Sequence, residues 1–337
     1  MNTQSFKEIR AWHTSWILPL TDLLFIIPCM KYFANKTTDS LRLEYSMSKG
    51  QTKEEARKAI EEDIRHGAFF MTNHRDIVMD PVFLSFLLRT RYWIRPYVGL
   101  GNNLLGKWWI KPFCRFNRGF IVIRDGSMRE QLEHSKVLSS YLHYLLKHHK
   151  SIWLAQHEGR TKDGNDITQH AILKMLALGD ESSFIDSIYK LNICPASLSY
   201  EYDPCDYLKA AEMQLKRDNP NRKKEKGEDI LSMKTGITGK KGNVVIRLTP
   251  SINHWIDQNR TELESMSRND QIKAIADRID YQIHSAYEIY ERGPAFDQYI
   301  ESRLAMINIP NKDETYLRER LYEMYNNPVI NHDKAIG

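Results

Sequence analysis

The chain has 337 residues, of which 42% are apolar and 27% are charged, so it is not a mainly disordered protein. Its length is enough for one large domain or two modest ones, each able to bury a core. The 48 Lys and Arg residues exceed the 43 Asp and Glu residues and leave a net charge of +5, which by itself indicates no class of partner.

The four cysteines lie far apart and form no CxxC pair; they are Cys29, Cys114, Cys194 and Cys205. This spacing argues against a disulfide framework and against a structural zinc site, and it favours a reducing compartment. We therefore expect no bound metal, and we interpret each cysteine as a small buried apolar residue.

The most apolar stretch of the chain lies near its start, from Trp16 to Cys29, and is interrupted by Pro19, Asp22 and Pro28. It falls short of the roughly 20 apolar residues that a spanning helix needs. The polar residues before it and the lack of a cleavage site also argue against a secretory signal. Two interpretations remain open, namely a core helix and a helix that lies in a membrane interface.

Strand-like and helix-like segments alternate through the middle of the chain. Thr52 to Glu55 has the form of a capping box and predicts a helix that runs to about Arg65. Helices are also predicted to begin at Asp80-Pro81 and to cover residues 102–113, 127–149, 206–217, 268–291 and 315–325. Strands are predicted over residues 67–72, 92–98, 119–124, 151–156, 193–200 and 242–249.

This alternation predicts an α/β fold in which a mostly parallel central sheet is flanked by helices. We expect a central domain over residues 51–260, with helical extensions over residues 1–50 and 261–337. Residues 219–241 are rich in Lys, Gly and Asn and have little apolar content, so we interpret them as a surface excursion of that domain.

A histidine and two aspartates follow the strand predicted at 67–72, in the segment Asn73-His74-Arg75-Asp76-Ile77-Val78-Met79-Asp80. A carboxylate that accepts a hydrogen bond from one imidazole nitrogen fixes the tautomer and leaves the other nitrogen free to remove a hydroxyl proton. Ligands of open parallel sheets gather at the carboxyl ends of strands, which favours a site here. Taken alone, the segment is more often a structural loop, in which the His caps a turn beside helix-capping aspartates. A protein-kinase catalytic loop is excluded, because Pro81 stands where an Asn is required.

Three further segments follow in order: Gly119-Phe-Ile-Val-Ile-Arg124, Glu158-Gly159-Arg160-Thr161-Lys162 and Ile193-Cys-Pro195-Ala-Ser-Leu-Ser-Tyr200. With the His74 segment, they resemble the four blocks of the glycerolipid acyltransferases, the glycerol-3-phosphate and lysophosphatidic acid acyltransferase superfamily. The family has four residues between His and Asp, whereas five separate His74 from Asp80. The resemblance favours Asp80 as the carboxylate that orients His74 and leaves Asp76 as the alternative.

The resemblance also implies roles for the other blocks. Arg124, Arg160 and Lys162 would hold the phosphate of the acceptor, as a guanidinium fork suits phosphate oxygens. Glu158 would contact the acceptor near the histidine, and Gly159 would let the backbone approach the ligand. The strand that carries Pro195 would form one wall of the pocket. Each residue also has a structural alternative, namely a surface ion pair, a polar turn or a core strand.

A member of this family would carry its acyltransferase domain over residues 51–260 and would need no cofactor. It would move a fatty acyl group from acyl-CoA or acyl carrier protein to a hydroxyl of glycerol 3-phosphate or 1-acylglycerol 3-phosphate, in phospholipid biosynthesis. Two alternatives remain: another lysolipid or amino-acid-lipid acceptor, and a non-catalytic membrane-binding protein on the same fold.

Basic residues interleave with Trp93, Trp108, Trp109 and Phe113 between residues 89 and 118. This pattern suits an anionic membrane surface, although core aromatics beside solvated charges would give the same sequence. Together with the apolar N-terminal stretch, it predicts a peripheral protein on the cytoplasmic face of a membrane, and no recognised motif supports a nucleic-acid partner. The Lys-rich residues 217–226 are a solvated loop or a contact for an acidic carrier protein.

Overall fold

The computed structural model describes residues 6–7, 9–12, 18–105, 110–123, 125–225 and 227–337. Within them a seven-stranded sheet has the order β1-β7-β6-β2-β5-β3-β4. Its strands are β1 (Thr38–Tyr45), β2 (Phe69–Thr72), β3 (Tyr97–Gly101), β4 (Gly119–Val122), β5 (Ile152–Ala155), β6 (Ile193–Tyr200) and β7 (Gly242–Leu248). Neighbouring strands are parallel except β6 and β7, which are antiparallel. The predicted α/β fold with a mostly parallel sheet is confirmed.

Helices cover both faces of this sheet. They are α1 (Leu18–Thr21), α2 (Ile27–Thr37), α3 (Lys53–Ile64), α4 (Met79–Tyr92), α5 (Ile110–Phe116), α6 (Met128–Lys147), α7 (His170–Leu176), α8 (Phe184–Lys190), α9 (Asp206–Asp218), α10 (Glu228–Thr238), α11 (Asn253–Ser265), α12 (Arg268–Ser285), α13 (Pro294–Met306) and α14 (Glu314–Ile336). A π-helical turn, Asp22–Ile26, joins α1 to α2, and a 3-10 turn covers Asn102–Leu104.

Two hydrophobic cores form because successive strand residues point to opposite faces of the sheet. Phe69 and Met71 of β2 face one core, which α6, α7, α8, α11 and α12 complete. Phe70, the residue between them, faces the other core, which α2, α3 and α4 complete. Burial on both faces explains why β2 is a continuous apolar run rather than an alternating one.

A third apolar cluster joins α9, α13 and α14 and includes Ile300, Leu317 and Leu321. Residues of α12, such as Ile275 and Ile279, belong to the same core as Phe69 in the central strand β2. The segment that follows residue 260 therefore packs directly on the sheet.

The capping box read from the sequence at Thr52 is present. Thr52 accepts from the backbone N–H of Glu55 at 3.3 Å, and the Glu55 carboxylate accepts from that of Thr52 at 2.8 Å. This reciprocal pair starts α3 as predicted. Ser127 and Glu130 form the same box at the start of α6, whose bounds agree closely with the predicted long helix.

Several predicted elements are wrong at the edges of the sheet. Strand β1 lies within the first 50 residues, which were predicted to be helical, and its alternation of Leu41, Leu43 and Tyr45 with polar residues is that of a half-exposed strand. The strand predicted at 92–98 begins only at Tyr97, because α4 continues to Tyr92. The helix predicted at 102–113 is a 3-10 turn followed by α5, with residues 106–109 outside the described part of the chain.

Three further predictions fail, two in the C-terminal half and one among the cysteines. Residues 219–241, interpreted as a surface excursion, contain α10, and Lys241 at their end is fully buried. The helix predicted over 268–291 ends at Ser285, and α11 and α13 were not foreseen. Cys194 and Cys205 are buried as expected, but Cys29 is exposed; all four cysteines are free.

Helix α10 contacts the segment that follows β2 through Gly236. A Cβ atom at this position would lie 2.0 Å from Oδ2 of Asp76 and 2.7 Å from its Cγ. We expect Gly236→Ala to lower the free energy of unfolding by about 1–3 kcal/mol. The sign is opposite to the gain of ~1 kcal/mol that alanine brings in an unobstructed helix. Urea denaturation measures this effect.

Gly293→Ala is the matched control for this prediction. No heavy atom lies within 4 Å of a Cβ built at Gly293, and its backbone does not have positive φ. This substitution should therefore leave the free energy of unfolding within ~0.5 kcal/mol of the parent value. If the Gly236→Ala variant were as stable as the Gly293→Ala variant, α10 would not be packed tightly against the Asp76 carboxylate.

Candidate active site

His74 and Asp80 form a hydrogen-bonded pair beyond the carboxyl end of β2. Nδ1 of His74 lies 2.7 Å from Oδ2 of Asp80. The same oxygen accepts from the backbone N–H groups of Arg75, at 2.6 Å, and Asp76, at 3.0 Å. The other oxygen, Oδ1, accepts from the hydroxyl of Tyr200 at 2.7 Å. Because a carboxylate only accepts, Nδ1 of His74 is the protonated nitrogen and Nε2 is the free base.

The residue inserted between His74 and Asp80 is absorbed by a turn at residues 77–78. Oδ1 of Asp76 accepts from the backbone N–H groups of Val78 and Met79, both at 2.9 Å, and so caps the first turn of α4. Pro81 is the third residue of α4 rather than the first, where its missing N–H still has no intrahelical partner to lose.

The second oxygen of Asp76 is buried and has no hydrogen-bond partner among the residues that the structure describes. Burial, and then the negative charge of Asp80, raise the pKa of Asp76, while the ammonium of Lys241 opposes this shift. Burial in turn lowers the pKa of Lys241, whose Nζ donates to the carbonyl oxygens of Gly236 and Gly239. Asp76 thus holds the helix rather than the imidazole.

The raised pKa of Asp76 predicts a pH dependence of stability. Protonation of this carboxyl favours the folded state, so its contribution is complete below its ordinary pKa of 3.8 and is lost as pH rises through the folded value. We therefore expect wild type to lose stability relative to Asp76→Asn over a pH range that begins near 4, since Asn keeps the cap. Urea denaturation of both proteins across this range tests it, and parallel curves would contradict it.

A cavity of about 620 Å³ opens beside His74. The imidazole of His74 lies among its polar side chains. The loop after β5 contributes His157, Glu158, Arg160 and Gln169, and α10 with the segment just before it contributes Asp229 and Lys224. Its apolar side lies between the ends of β3 and β4 and helices α6 and α7, and comprises Leu100, Leu104, Val122, Ile123, Leu138, Ile172 and Met175. One cavity therefore joins a base, charged groups and a set of apolar side chains.

The structure brings together part of the predicted third block. Glu158, Gly159 and Arg160 line the cavity with His74. Gly159 has φ +76°, in the region that favours glycine, and nothing lies within 4 Å of a Cβ built there. The backbone N–H of Thr161 donates to the carbonyl oxygen of His74 at 3.0 Å, which joins the two loops.

Other predicted site residues lie apart from this cavity. The ammonium of Lys162 pairs with Glu212 of α9 at 2.5 Å. Pro195 is buried in β6, where its carbonyl oxygen accepts from Thr249, and it is not among the residues that line the cavity. Arg124 lies outside the described residues, although Val122 and Ile123 just before it reach the cavity.

Arg160 is the cation of the third block that remains available. Its Nη1 is buried and has no hydrogen-bond partner within the described part of the chain. A nearby carboxylate, Asp203, is already bound by the buried ammonium of Lys209 at 2.5 Å. Burial raises the pKa of Asp203, but Lys209 and, less strongly, Arg160 bring it below its ordinary value. The guanidinium of Arg160 can therefore take a further anion.

With this geometry established, comparison with known proteins identifies the domain. Residues 50–178 match the protein-family model described as Acyltransferase. Residues 50–178 form an acyltransferase domain. The match confirms the family resemblance over β2 to β5, which includes His74, the Gly119 strand and the Glu158 loop; the fourth block, residues 193–200, lies outside the matched segment. No curated protein matches the chain.

Three groups around the histidine of this acyltransferase were not assigned from the sequence. Tyr200 closes the fourth block, yet its hydroxyl binds Asp80 instead of lining a pocket wall. The ring of Trp153 meets the imidazole of His74 edge-on at 5.7 Å between centroids. Lys224 reaches the cavity from the segment interpreted as a surface excursion. Tyr200 carried a signal in the sequence as the polar end of an apolar strand, and Lys224 carried one as part of the Lys-rich residues 217–226.

The described residues contain no group of three His, Cys, Asp or Glu side chains arranged to hold a metal ion. The polar groups at the cavity include the paired imidazole of His74, carboxylates and a guanidinium. These are suited to proton transfer and to binding an anion.

Proposed function

We propose that this acyltransferase moves a fatty acyl group from an acyl thioester to a hydroxyl of glycerol 3-phosphate or 1-acylglycerol 3-phosphate, in phospholipid biosynthesis. Nε2 of His74 removes the hydroxyl proton as the oxygen attacks the thioester carbonyl. The tetrahedral intermediate collapses, the carbon–sulfur bond breaks, and His74 returns the proton to the leaving thiolate. The products are an ester and a free thiol, so the step needs no cofactor.

The pairing of His74 with Asp80 is the observation that carries this proposal. An alcohol has a pKa far above neutral and attacks a thioester slowly unless a base removes its proton. The Asp80 carboxylate is held by four donors, fixes the imidazole tautomer and stabilises the imidazolium that forms. This pairing favours the tautomer in which Nε2 of His74 is free to accept the proton.

Arg160 supports a phosphorylated acceptor. Its partly unpartnered guanidinium offers a planar fork to an anion in the same cavity as His74. Lys162 contributes less, because Glu212 already pairs with its ammonium. A carboxylate would also suit Arg160, so an amino-acid lipid or another lysolipid is the second candidate acceptor.

The apolar side of the cavity supports a fatty acyl donor. Leu138, Ile172 and Met175 line it from two helices, and Leu100 and Val122 line it from the ends of β3 and β4. A chain of methylene groups gains about 0.8 kcal/mol per group when it leaves water. An acyl chain bound along this side would bring its thioester towards the imidazole.

A matrix of donors and acceptors tests the proposed function in the purified full chain. Acyl-CoA and acyl carrier protein are each combined with glycerol 3-phosphate, 1-acylglycerol 3-phosphate, an uncharged monoacylglycerol and an amino-acid lysolipid. We expect transfer to one of the two phosphorylated acceptors to exceed transfer to monoacylglycerol by at least about tenfold. Transfer only to the amino-acid lysolipid would overturn the phosphate assignment and support the second candidate.

We also propose that the enzyme works as a peripheral protein on the cytoplasmic face of a membrane. No helix among the described residues is long and apolar enough to cross one. Leu23 and Phe25 are 67% and 68% exposed, and Trp93 is 77% exposed. Asp22 binds Arg89 and Arg95, which keeps these apolar side chains near α4 and its basic residues. Apolar and aromatic groups beside basic ones suit an anionic bilayer.

Vesicle flotation checks the membrane proposal. The double variant Leu23→Asp, Phe25→Asp should lose at least about tenfold in affinity for vesicles with 30% anionic lipid, since it removes buried apolar area and adds repelled charge. Ile336→Asp, at a similarly exposed residue near the end of α14, is the matched control and should bind as wild type does. Equal binding of all three proteins would count against this surface.

A further inference from the structure

The carboxylate of Asp166 holds both neighbours of His74. Its Oδ2 accepts from Nδ2 of Asn73 at 3.3 Å and from Nη2 of Arg75 at 2.7 Å. Asn73 is also bound on its other side, because its amide exchanges hydrogen bonds with the backbone of Leu198 in β6 at 2.7 and 3.0 Å. The backbone is thus fixed immediately before and immediately after the imidazole.

The pair of Asp166 and Arg75 lies out of solvent, with side-chain exposures of 2% and 10%. Burial lowers the pKa of Arg75, but Asp166, Tyr287, Asp203 and Asp80 together more than offset this, so the pKa of Arg75 lies above its ordinary value. The carbonyl oxygen of Arg75 accepts from the buried ammonium of Lys209 at 3.0 Å. A buried ion pair costs desolvation energy and by itself adds little stability, so stability alone does not account for this pair.

A third donor reaches Asp166 from outside the segment that matches the acyltransferase family. The hydroxyl of Tyr287, two residues after α12, donates to Oδ2 at 2.6 Å. Burial, and then the carboxylate of Asp166, raise the pKa of Tyr287 well above its ordinary value, so it stays protonated and donates. The backbone of Asp166 is also held, since its carbonyl oxygen binds Nε2 of His284 at 2.5 Å.

We propose that Asp166 is a positioning residue for the reaction, which sets the place of the imidazole by fixing Asn73 and Arg75, and that Tyr287 completes this support. The inference rests on the proposed role of His74 as the base. Asp166 does not touch the reacting atoms. It acts through the two peptide units that carry His74, and displacement of a catalytic group by about 1 Å can cost ~10²-fold in rate.

The loop that contains Asp166 also carries the third block. The N–H of Thr161 binds the carbonyl oxygen of His74, and Gly164 sits so closely against α14 that an added Cβ would overlap the backbone of Met324. Asn327 of α14 donates to the carbonyl oxygen of Asp163 at 2.8 Å. Helix α14 thus packs against the loop that carries both Asp166 and Arg160.

Two substitutions test the role of Asp166 at different strengths. Asp166→Asn keeps the size of the side chain but removes its charge, and Tyr287→Phe removes a single donor. We expect kcat to fall by at least about tenfold in Asp166→Asn and by about threefold to tenfold in Tyr287→Phe. KM for donor and acceptor should change by less than about threefold, because neither residue lines the substrate cavity.

Asp206→Asn is the matched control. The side chain of Asp206 is as buried as that of Asp166 and likewise accepts from an arginine, Arg303, and from two tyrosine hydroxyls, those of Tyr299 and Tyr325. It serves the cluster of α9, α13 and α14 and binds no residue beside His74. Its substitution should lower Tm at least as much as Asp166→Asn does, yet leave kcat per folded molecule within about twofold.

The proton on Nδ1 of His74 gives a readout that a purely structural role would not move. Its downfield NMR signal, assigned by its loss in His74→Ala, should shift or broaden in Asp166→Asn and Tyr287→Phe and stay unchanged in Asp206→Asn. Wild-type kcat together with an unchanged imidazole signal in the first two variants would overturn the proposal. If neither of these variants folded when Asp206→Asn does, the carboxylate would be structural and the proposal would also fail.

His74→Ala separates this inference from the proposed function. If that variant retained activity, the base assignment itself would fail. If it were inactive while Asp166→Asn kept the wild-type kcat, only the positioning role of Asp166 would be wrong.

Discussion

Replacing His74 by alanine should lower kcat by about 10²- to 10⁴-fold, the range that a positioned general base contributes. The acceptor hydroxyl would then have to lose its proton to water, and the leaving thiolate would lose its proton donor. KM should change little, because the cavity beside the imidazole is lined by other side chains that would remain. Product formation measured by chromatography, with the folded fraction checked by circular dichroism, gives both constants.

His157 provides the matched control for this experiment. It also lines the cavity, and it is exposed. Its Nδ1 lies 2.8 Å from the backbone carbonyl oxygen of Glu158, so no carboxylate supports it. We expect His157→Ala to retain kcat within about threefold. Near-normal turnover in His74→Ala, or an equal loss in both variants, would contradict the assignment of the base.

The centre of the fold could be predicted because its strands are buried on both faces. Such strands appear in the sequence as short apolar runs, and β2, β5 and β6 were found within two residues of their observed bounds. The edge strand β1 was missed for the opposite reason. It has one exposed face, so Arg42 and Glu44 interrupt its apolar residues and the run does not look like a core strand.

The candidate site was predictable where it depends on neighbours in the sequence. His74 and Asp80 follow one strand, and Glu158 and Arg160 follow the adjacent one, so parallel pairing of β2 with β5 brings them to one edge of the sheet. The choice between Asp76 and Asp80 depended on the path of the turn between them. The sequence contained no measure of that path, and the cap that Asp76 provides to α4 decides the geometry.

The remaining groups could not be predicted, because tertiary packing alone brings them together. Asp166 lies 93 residues from Asn73, and Tyr287 lies 121 residues from Asp166. Neither belongs to a motif, and each resembles an ordinary loop residue until α12 packs on the sheet. Pro195 shows the converse error, since β6 lies between β2 and β7 and the proline is enclosed there instead of facing a ligand.

Replacing Asp80 by asparagine should lower kcat by about 10²- to 10⁴-fold while most of the protein still folds. The corresponding change in a serine-protease triad costs about 10⁴-fold. An asparagine oxygen can still accept from the backbone N–H groups of Arg75 and Asp76, and Tyr200 can turn its hydroxyl to accept from the new amide. The charge that stabilises the imidazolium of His74 is lost.

Asp76→Asn distinguishes the two carboxylates and decides which one completes the base. Both are buried, and each accepts from backbone N–H groups in the turn between β2 and α4, but only Asp80 contacts the imidazole. Asparagine preserves the cap that Asp76 supplies, so kcat should remain within about threefold of wild type. The reverse result, with Asp76→Asn inactive and Asp80→Asn active, would mean that the turn rearranges when substrate binds and that His74 changes its partner. Equal and large losses in both variants would instead show that Asp76 is also needed for the reaction. Its second carboxylate oxygen lies against Gly236 of α10, so that helix would then contribute to the site.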